Sequence, residues 1–173
     1  NGKTKILALT DNVLPHEKRP GDRQFTNYFL KACDGFITMS KAVMADLDQF
    51  TKTPHKLYTV HPLYDAFGEK ISKADARAKT GYGAGDKLLL FFGFIRKYKG
   101  LDLLLEAMAD ERLKAINVKL HVAGEFYEDR APYDELVRKY DLADRVRMTG
   151  DYVENNDVKY YFSASDLVTL TYR

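Results

Sequence analysis

Apolar positions along the chain fall into short runs separated by polar turns, and the runs alternate between two periods. Residues 5–9 (KILAL) form a continuous strand-like run, followed by a polar, proline-containing loop over 11–23. Phe25, Tyr28, Phe29, Ala32 and Cys33 then recur at helical spacing, which predicts a helix over 23–33 stopped by Gly35 and makes Cys33 core filler rather than a nucleophile. Residues 36–39 (FITM) read as a second strand. Ser40 is a good N-cap for a helix over 41–50, whose Val43, Leu47 and Phe50 face one way. A third strand is expected at 56–60, with residues 61–68 turning out of it.

The character changes at Ile71. Residues 72–87 read as a capped surface helix ending in glycine-rich turns, a linker or domain edge. Strands at 87–93, 117–123, 145–149 and 166–170 then alternate with helices at 100–108, 132–140 and 155–163. Leu101, Leu104, Leu105 and Met108 stripe the first of these helices, Tyr133, Leu136, Val137 and Tyr140 the second, and Val158, Tyr161 and Phe162 the third. Such alternation predicts an α/β chain with a Rossmann-like parallel sheet covered by helices on both faces. No internal repeat or low-complexity segment interrupts it. A doubly wound sheet usually continues past such a last strand, so a truncated chain is expected.

Composition narrows the function classes. The chain has 173 residues, 45% hydrophobic and 30% charged, the balance of a globular protein. A net charge of only +2 gives no global field for nucleic acid, so any cation cluster is read locally. A single cysteine allows no intramolecular disulfide and makes a reducing, cytosolic compartment the default. No run approaches the ~18 to 20 apolar residues of a membrane span, and no signal peptide is read at the amino terminus.

Candidate chemistry gathers at one sheet edge. Ligands of open parallel sheets bind outside the carboxyl ends of the strands, where Gly93, Gly124 and Gly150 all fall. Glycine there lets a ligand approach the backbone closely. After Gly93 comes the cluster Arg96, Lys97 and Lys99, and then the start of a helix whose amino terminus adds positive potential. A guanidinium fork, an ammonium and helix amides together suit a diphosphate. The physics of the turn alone leaves phosphate binding and plain solvation about equal, and Lys97 suits water as well as a ligand. Bulky residues between Gly93 and Gly100 break the G-x-G-x-x-G fingerprint, and no Gly-Lys-Ser/Thr ending marks a P-loop. NAD enzymes and ATPases are therefore disfavoured.

Other candidates stand beside bland readings. His16 and Glu17 lie in the first loop, where a solvated histidine is the plain alternative. His55, His61 and His121 lack metal-site spacing, and His121 falls on the polar phase of its strand. Glu125, directly after Gly124, either meets ligand hydroxyls or begins a loop. Asp166 caps or ends an element rather than performing chemistry, and residues 128–130 (EDR) read as loop solvation.

Three blocks, LFFGFIRKYKGLDLLLEAM, VKLHVAGEFYED and RVRMTGDYVENNDVKYYFSASDLVTL, together resemble the carboxy-terminal donor domain of the family 4 (group 1) glycosyltransferases, in that family's order and spacing. Upstream, NVLPHEKRPGD through DGFITMSKAVMADL resembles the end of its amino-terminal acceptor domain. The resemblance implies a GT-B architecture, here an incomplete one. Residues 1–64 would be the remnant of the acceptor-side domain, 65–86 a linker and edge helix, and 87–173 the truncated donor-binding domain.

What the resemblance further implies is a retaining transfer of a hexosyl-type sugar from a nucleotide diphosphate sugar to a saccharide or lipid-linked acceptor hydroxyl, in polysaccharide or glycolipid assembly. Neither a cofactor nor a metal is expected, nor nucleic acid as a partner. The setting is cytoplasmic, with the full-length protein peripheral to the inner face of the membrane. Arg96 and Lys99 would stabilise the departing diphosphate. His16 would line the cleft near the sugar, Gly93, Gly124 and Glu125 would hold the donor, and the backbone of Tyr152 and Val153 would meet the base.

Two departures qualify the match. Phe94 stands directly after Gly93 where the family often has arginine, and the family's two-glutamate motif does not occur before Arg173. The chain alone is therefore expected to be inactive. A non-catalytic nucleotide-sugar-binding or interaction module of the same fold is the competing expectation.

Overall fold

The computed structural model describes residues 4–15 and 19–173, so His16 and Glu17 lie outside the described residues. The chain divides between Leu63 and Tyr64 into two compact units.

The first unit is a parallel three-stranded sheet in the order β1-β2-β3. Its strands are β1 (Leu7–Thr10), β2 (Gly35–Thr38) and β3 (Lys56–Tyr58), interleaved with α1 (Asp22–Ala32) and α2 (Lys41–Leu47). The Ser40 hydroxyl caps α2 by accepting from Ala42 N at 3.2 Å. Val43 and Leu47 of α2 join Ala8, Val13, Leu30 and Phe36 in a small core, against which Cys33 and Phe50 pack.

The aromatic stripe expected to bury α1 does not do so. Phe25 is 75% exposed and Tyr28 79%, with Phe29 also exposed. The packed face runs instead through Leu30 and Cys33, with the Thr26 hydroxyl donating to Val13 O at 3.3 Å. That face is rotated away from the rings, and the aromatic spacing was a period without a partner surface. Strand β1 likewise turns Ala8 and Thr10 inward and leaves Leu7 and Leu9 exposed.

The second unit carries β4 (Lys87–Phe92), β5 (Val118–Ala123), β6 (Val146–Thr149) and β7 (Leu167–Val168), all parallel in the order β6-β5-β4-β7. Its helices are α3 (Lys73–Thr80), α4 (Leu101–Met108), α5 (Glu111–Ala115), α6 (Ala131–Lys139) and α7 (Asn155–Ala164). Leu101, Leu104, Leu105 and Met108 of α4 are all buried and pack with Phe91, Leu120, Val122 and Tyr133. Each such side chain contributes about 1.5–3 kcal/mol by leaving water. On the opposite face, Ala76 of α3 and Ala164 of α7 close over Leu88. Helices thus cover both faces of this sheet.

Helix α3 is more than a surface helix. Its Arg77 is 5% exposed and ties three segments together. Nε donates to Ala164 O at 3.1 Å, Nη1 to Gly83 O at 3.0 Å, and Nη2 to Asp86 O at 2.8 Å and to an Asp166 carboxylate oxygen at 3.0 Å. The same carboxylate oxygen accepts from Leu88 N at 2.7 Å. Asp166 is therefore a structural anchor where β7 begins. Five residues of α5, capped by Asp110 accepting from Arg112 N at 2.8 Å, form a helix that sequence periodicity did not foresee. Strand β7 is shorter than the expected 166–170.

Candidate functional site

A cavity of about 240 Å³ opens in the second unit at the carboxyl ends of β4 and β5. Gly93 and Gly124 form its floor. Both have positive φ, +97° and +137°, and a Cβ added at Gly124 would lie 2.3 Å from Gly93 O. Only a bare backbone permits the two turns to pass so closely. Glu125, Tyr152 and Val153 line the same cavity, so all five residues read as donor-binding from the sequence stand around one space.

The basic loop takes its form from the loop after β5. Ile95 forms an isolated parallel bridge with Phe126, through Ile95 N to Glu125 O at 2.8 Å and Tyr127 N to Ile95 O at 3.1 Å. Arg96 lays its guanidinium 4.5 Å from the centroid of the Tyr127 ring, and Phe94 meets the same ring edge-on at 4.7 Å. Such a cation–π contact contributes about 0.5–1 kcal/mol where exposed. The Glu128 carboxylate accepts from the backbone N–H of Lys97. Glu128 thus braces the loop and is not simply solvated. Lys97, by contrast, turns its side chain to water.

Residues Lys97–Lys99 make a single 3₁₀ turn before α4. This turn brings Lys99 back over the glycine floor: a Cβ added at Gly93 would stand 3.3 Å from its Nζ. Burial pushes the Lys99 ammonium below the ordinary lysine range, and the Arg96 charge nearby adds to the push. An anion arriving at this point would relieve both penalties.

The helix that reaches the cavity is α7, not α4. Asn155 and Val158 of α7 line it, whereas no residue of α4 does. The first turn of α4 is instead packed by the chain end, where the Thr171 hydroxyl lies within hydrogen-bonding distance of both Lys99 O and Gly100 O, and Asp102 pairs with Arg173 at 2.5 Å. Sequence reasoning also missed Phe67 and Phe92, which supply much of the apolar wall with Val158. Phe67 lies far from the glycine turns in sequence, in a stretch read only as a turn out of the third strand, so nothing local pointed it at the cavity. Tyr127 had one signal, an aromatic placed shortly after the Gly124 turn. His121 is buried, with Nε2 at 3.0 Å from the Thr149 hydroxyl, so it is satisfied rather than exposed. Among the described residues no group of three or more His, Cys, Asp or Glu is placed to hold a metal ion, and no helix is long and apolar enough to cross a membrane.

Known proteins share this fold. Two solved structures show the same fold: HepE of Anabaena in complex with UDP-glucose (TM-score 0.78, 16% identity, 97% of this chain and 47% of that one) and sucrose-phosphate synthase of Thermosynechococcus elongatus (TM-score 0.74, 22% identity, 89% and 39%). In sequence the chain is 28% identical over 180 residues to the D-inositol 3-phosphate glycosyltransferase of Kineococcus radiotolerans, which covers 97% of this chain but 40% of that protein. It thus spans well under half the length of that relative. Residues 72–173 match the model described as glycosyl transferases group 1, and the chain belongs to that family.

Proposed function

We propose that the cleft over Gly93 and Gly124 binds the nucleotide diphosphate sugar of a retaining glycosyl transfer, with Lys99 and Arg96 meeting the diphosphate. The observation that carries this reading is the Lys99 ammonium, held partly dehydrated against the Gly93 turn at the ligand edge of the sheet. In transfer, the sugar–oxygen bond to the diphosphate breaks and the leaving group gains negative charge. Fixed cations at that point stabilise the transition state more than the ground state. Side-chain cations fill the role without a metal ion. The apolar wall of Phe67, Phe92 and Val158 suits a flat or sugar-ring surface, and Tyr152 and Val153 on the same cavity are the residues this reading assigns to the base.

The remaining parts of the reading rest on the family. The transferred group is a hexosyl unit and the acceptor a saccharide or lipid-linked hydroxyl, in polysaccharide or glycolipid assembly at the cytoplasmic face of a membrane. The family gives a histidine a role near the transferred sugar, a role this reading assigns to His16 in the full-length protein, and the 173-residue chain by itself binds donor without turning it over. Support for a uridine donor comes from HepE, solved with UDP-glucose.

Calorimetry with UDP, GDP and ADP tests this. One diphosphate should bind the parent chain, and Arg96→Ala with Lys99→Ala should abolish binding; in a longer, active form each substitution should lower turnover by about 10²–10³. Because Lys99 titrates below the lysine range, affinity should fall as pH rises through its lowered value, with proton uptake on binding in that alkaline window. Unchanged affinity in the double variant would remove both residues from the site.

A further inference from the structure

Helix α7 is a wall of two cavities. Asn155 and Val158 line the cleft described above, while Asp157, Tyr160 and Tyr161 line a second cavity of about 210 Å³. Its other walls are Lys79 at the end of α3, His121 of β5, and Arg147 and Thr149 of β6. The family's donor chemistry uses none of these side chains in the reading above.

Two cations of this cavity are fixed by something other than a carboxylate. Arg147 donates from Nη1 to Thr80 O at 2.7 Å, and its guanidinium lies 4.8 Å from the centroid of the Tyr82 ring. Lys79 Nζ lies 5.8 Å from the centroid of Tyr160. Elsewhere in the second unit, cations such as Lys73, Lys119 and Arg173 each close on a carboxylate. Among the described residues no ion pair joins Lys79 or Arg147 to an acid, Asp157 in the same cavity included. A carbonyl and an aromatic ring orient a guanidinium without neutralising it, so its charge stays available to a ligand.

The rest of the lining suits a small polar body. His121 is 4% exposed and hydrogen-bonded to Thr149, and its burial together with the Arg147 charge keeps the ring neutral near pH 7. It offers polar contact without adding a third positive charge. Tyr161 packs edge-on against it at 5.1 Å.

We propose that this cavity is a second anion site, taking a small molecule whose phosphate or carboxylate group lies between Arg147 and Lys79. The site belongs to the second unit alone and does not depend on donor binding. Its test is amide NMR of the 173-residue chain titrated with inorganic phosphate and, separately, with acetate, ionic strength being held constant with chloride. Saturable shifts are expected at Thr80, Thr149 and Tyr161. Each variant removes a charge-assisted hydrogen bond, so Lys79→Gln and Arg147→Gln should each weaken the effective anion about tenfold or more, while Lys99→Ala leaves it within about twofold. Binding of either anion with that mutational pattern supports the site, and which anion binds names its head group. Shifts that never saturate, saturable shifts confined to the Gly93 and Gly124 turns, or parental affinity in Lys79→Gln would each overturn it. Lys79 is exposed on its helix, so its variant reads binding even if Arg147→Gln loosens the fold.

Discussion

The two units use the same parallel-sheet grammar with unequal coverage. In the second, α4 and α6 cover one face of the sheet and α3 and α7 the other, and Leu88, Leu90, Leu120 and Val122 are all buried. In the first, α1 and α2 serve the face of Ala8 and Phe36, while Leu9 and Leu57, aligned through Ile37 across all three strands, stay exposed. Parallel sheets ordinarily bury both faces. The difference teaches that apolar content by itself does not make a core; a second layer must meet it.

The comparison breaks most sharply at Arg77. Arg77→Ala leaves the carbonyls of Gly83, Ala84, Asp86 and Ala164 without this donor and removes one of the partners of Asp166; each buried acceptor left unsatisfied costs about 1–3 kcal/mol, so a loss of several kcal/mol is expected. Urea denaturation followed by hydrogen exchange should show the loss in the second unit, with the first unit's amides keeping their protection. Parental stability in this variant would mean that the buried fan is incidental.

Next in size is a pH effect. The His121 pKa is lowered to about 4 by burial and by Arg147, against 6.5 for the ordinary side chain. The unfolded chain therefore takes up a proton that the folded one refuses as pH falls between those values. Stability of the second unit is complete above about pH 6.5 and declines towards pH 4, by roughly 3 kcal/mol at about 1.4 kcal/mol per unit. His121→Gln should flatten that slope in a denaturation series from pH 4 to 7. A slope retained by the variant would assign the effect elsewhere.

The smallest effect is expected in the first unit. Leu9→Thr and Leu57→Thr change exposed positions on strands, so each should fall within about 0.5 kcal/mol of the parent. Both should reduce binding of an apolar dye, because they interrupt the uncovered row. Losses of several kcal/mol would show that a second layer covers this face in solution.

How much of this was readable beforehand follows the same division. The stripe Leu101, Leu104, Leu105 and Met108 was legible because its period and its burial coincide. In α1 the period was real, but the packed face passed through Leu30 instead. Periodicity reports that a helix has a face, not that something lies against it. Arg77 was hidden because its acceptors come from Gly83, Asp86, Ala164 and Asp166, and a cation in a polar helix looks solvated. The glycine turns were legible since strand ends can be counted. The clamp of Tyr127 on Arg96 was not, since two loops meet there whose pairing no local pattern encodes.

The closeness of the Gly93 and Gly124 turns also sets how this sequence can drift. Every single-base change of a glycine codon that alters the residue installs a side chain or a stop, and at Gly124 any side chain strikes backbone at 2.3 Å. Gly85, where an added Cβ meets nothing within 4 Å, is open to the same changes. A saturation library read out for folding should therefore find Gly124 nearly silent and Gly85 permissive, one cleft floor frozen beside a loop free to vary.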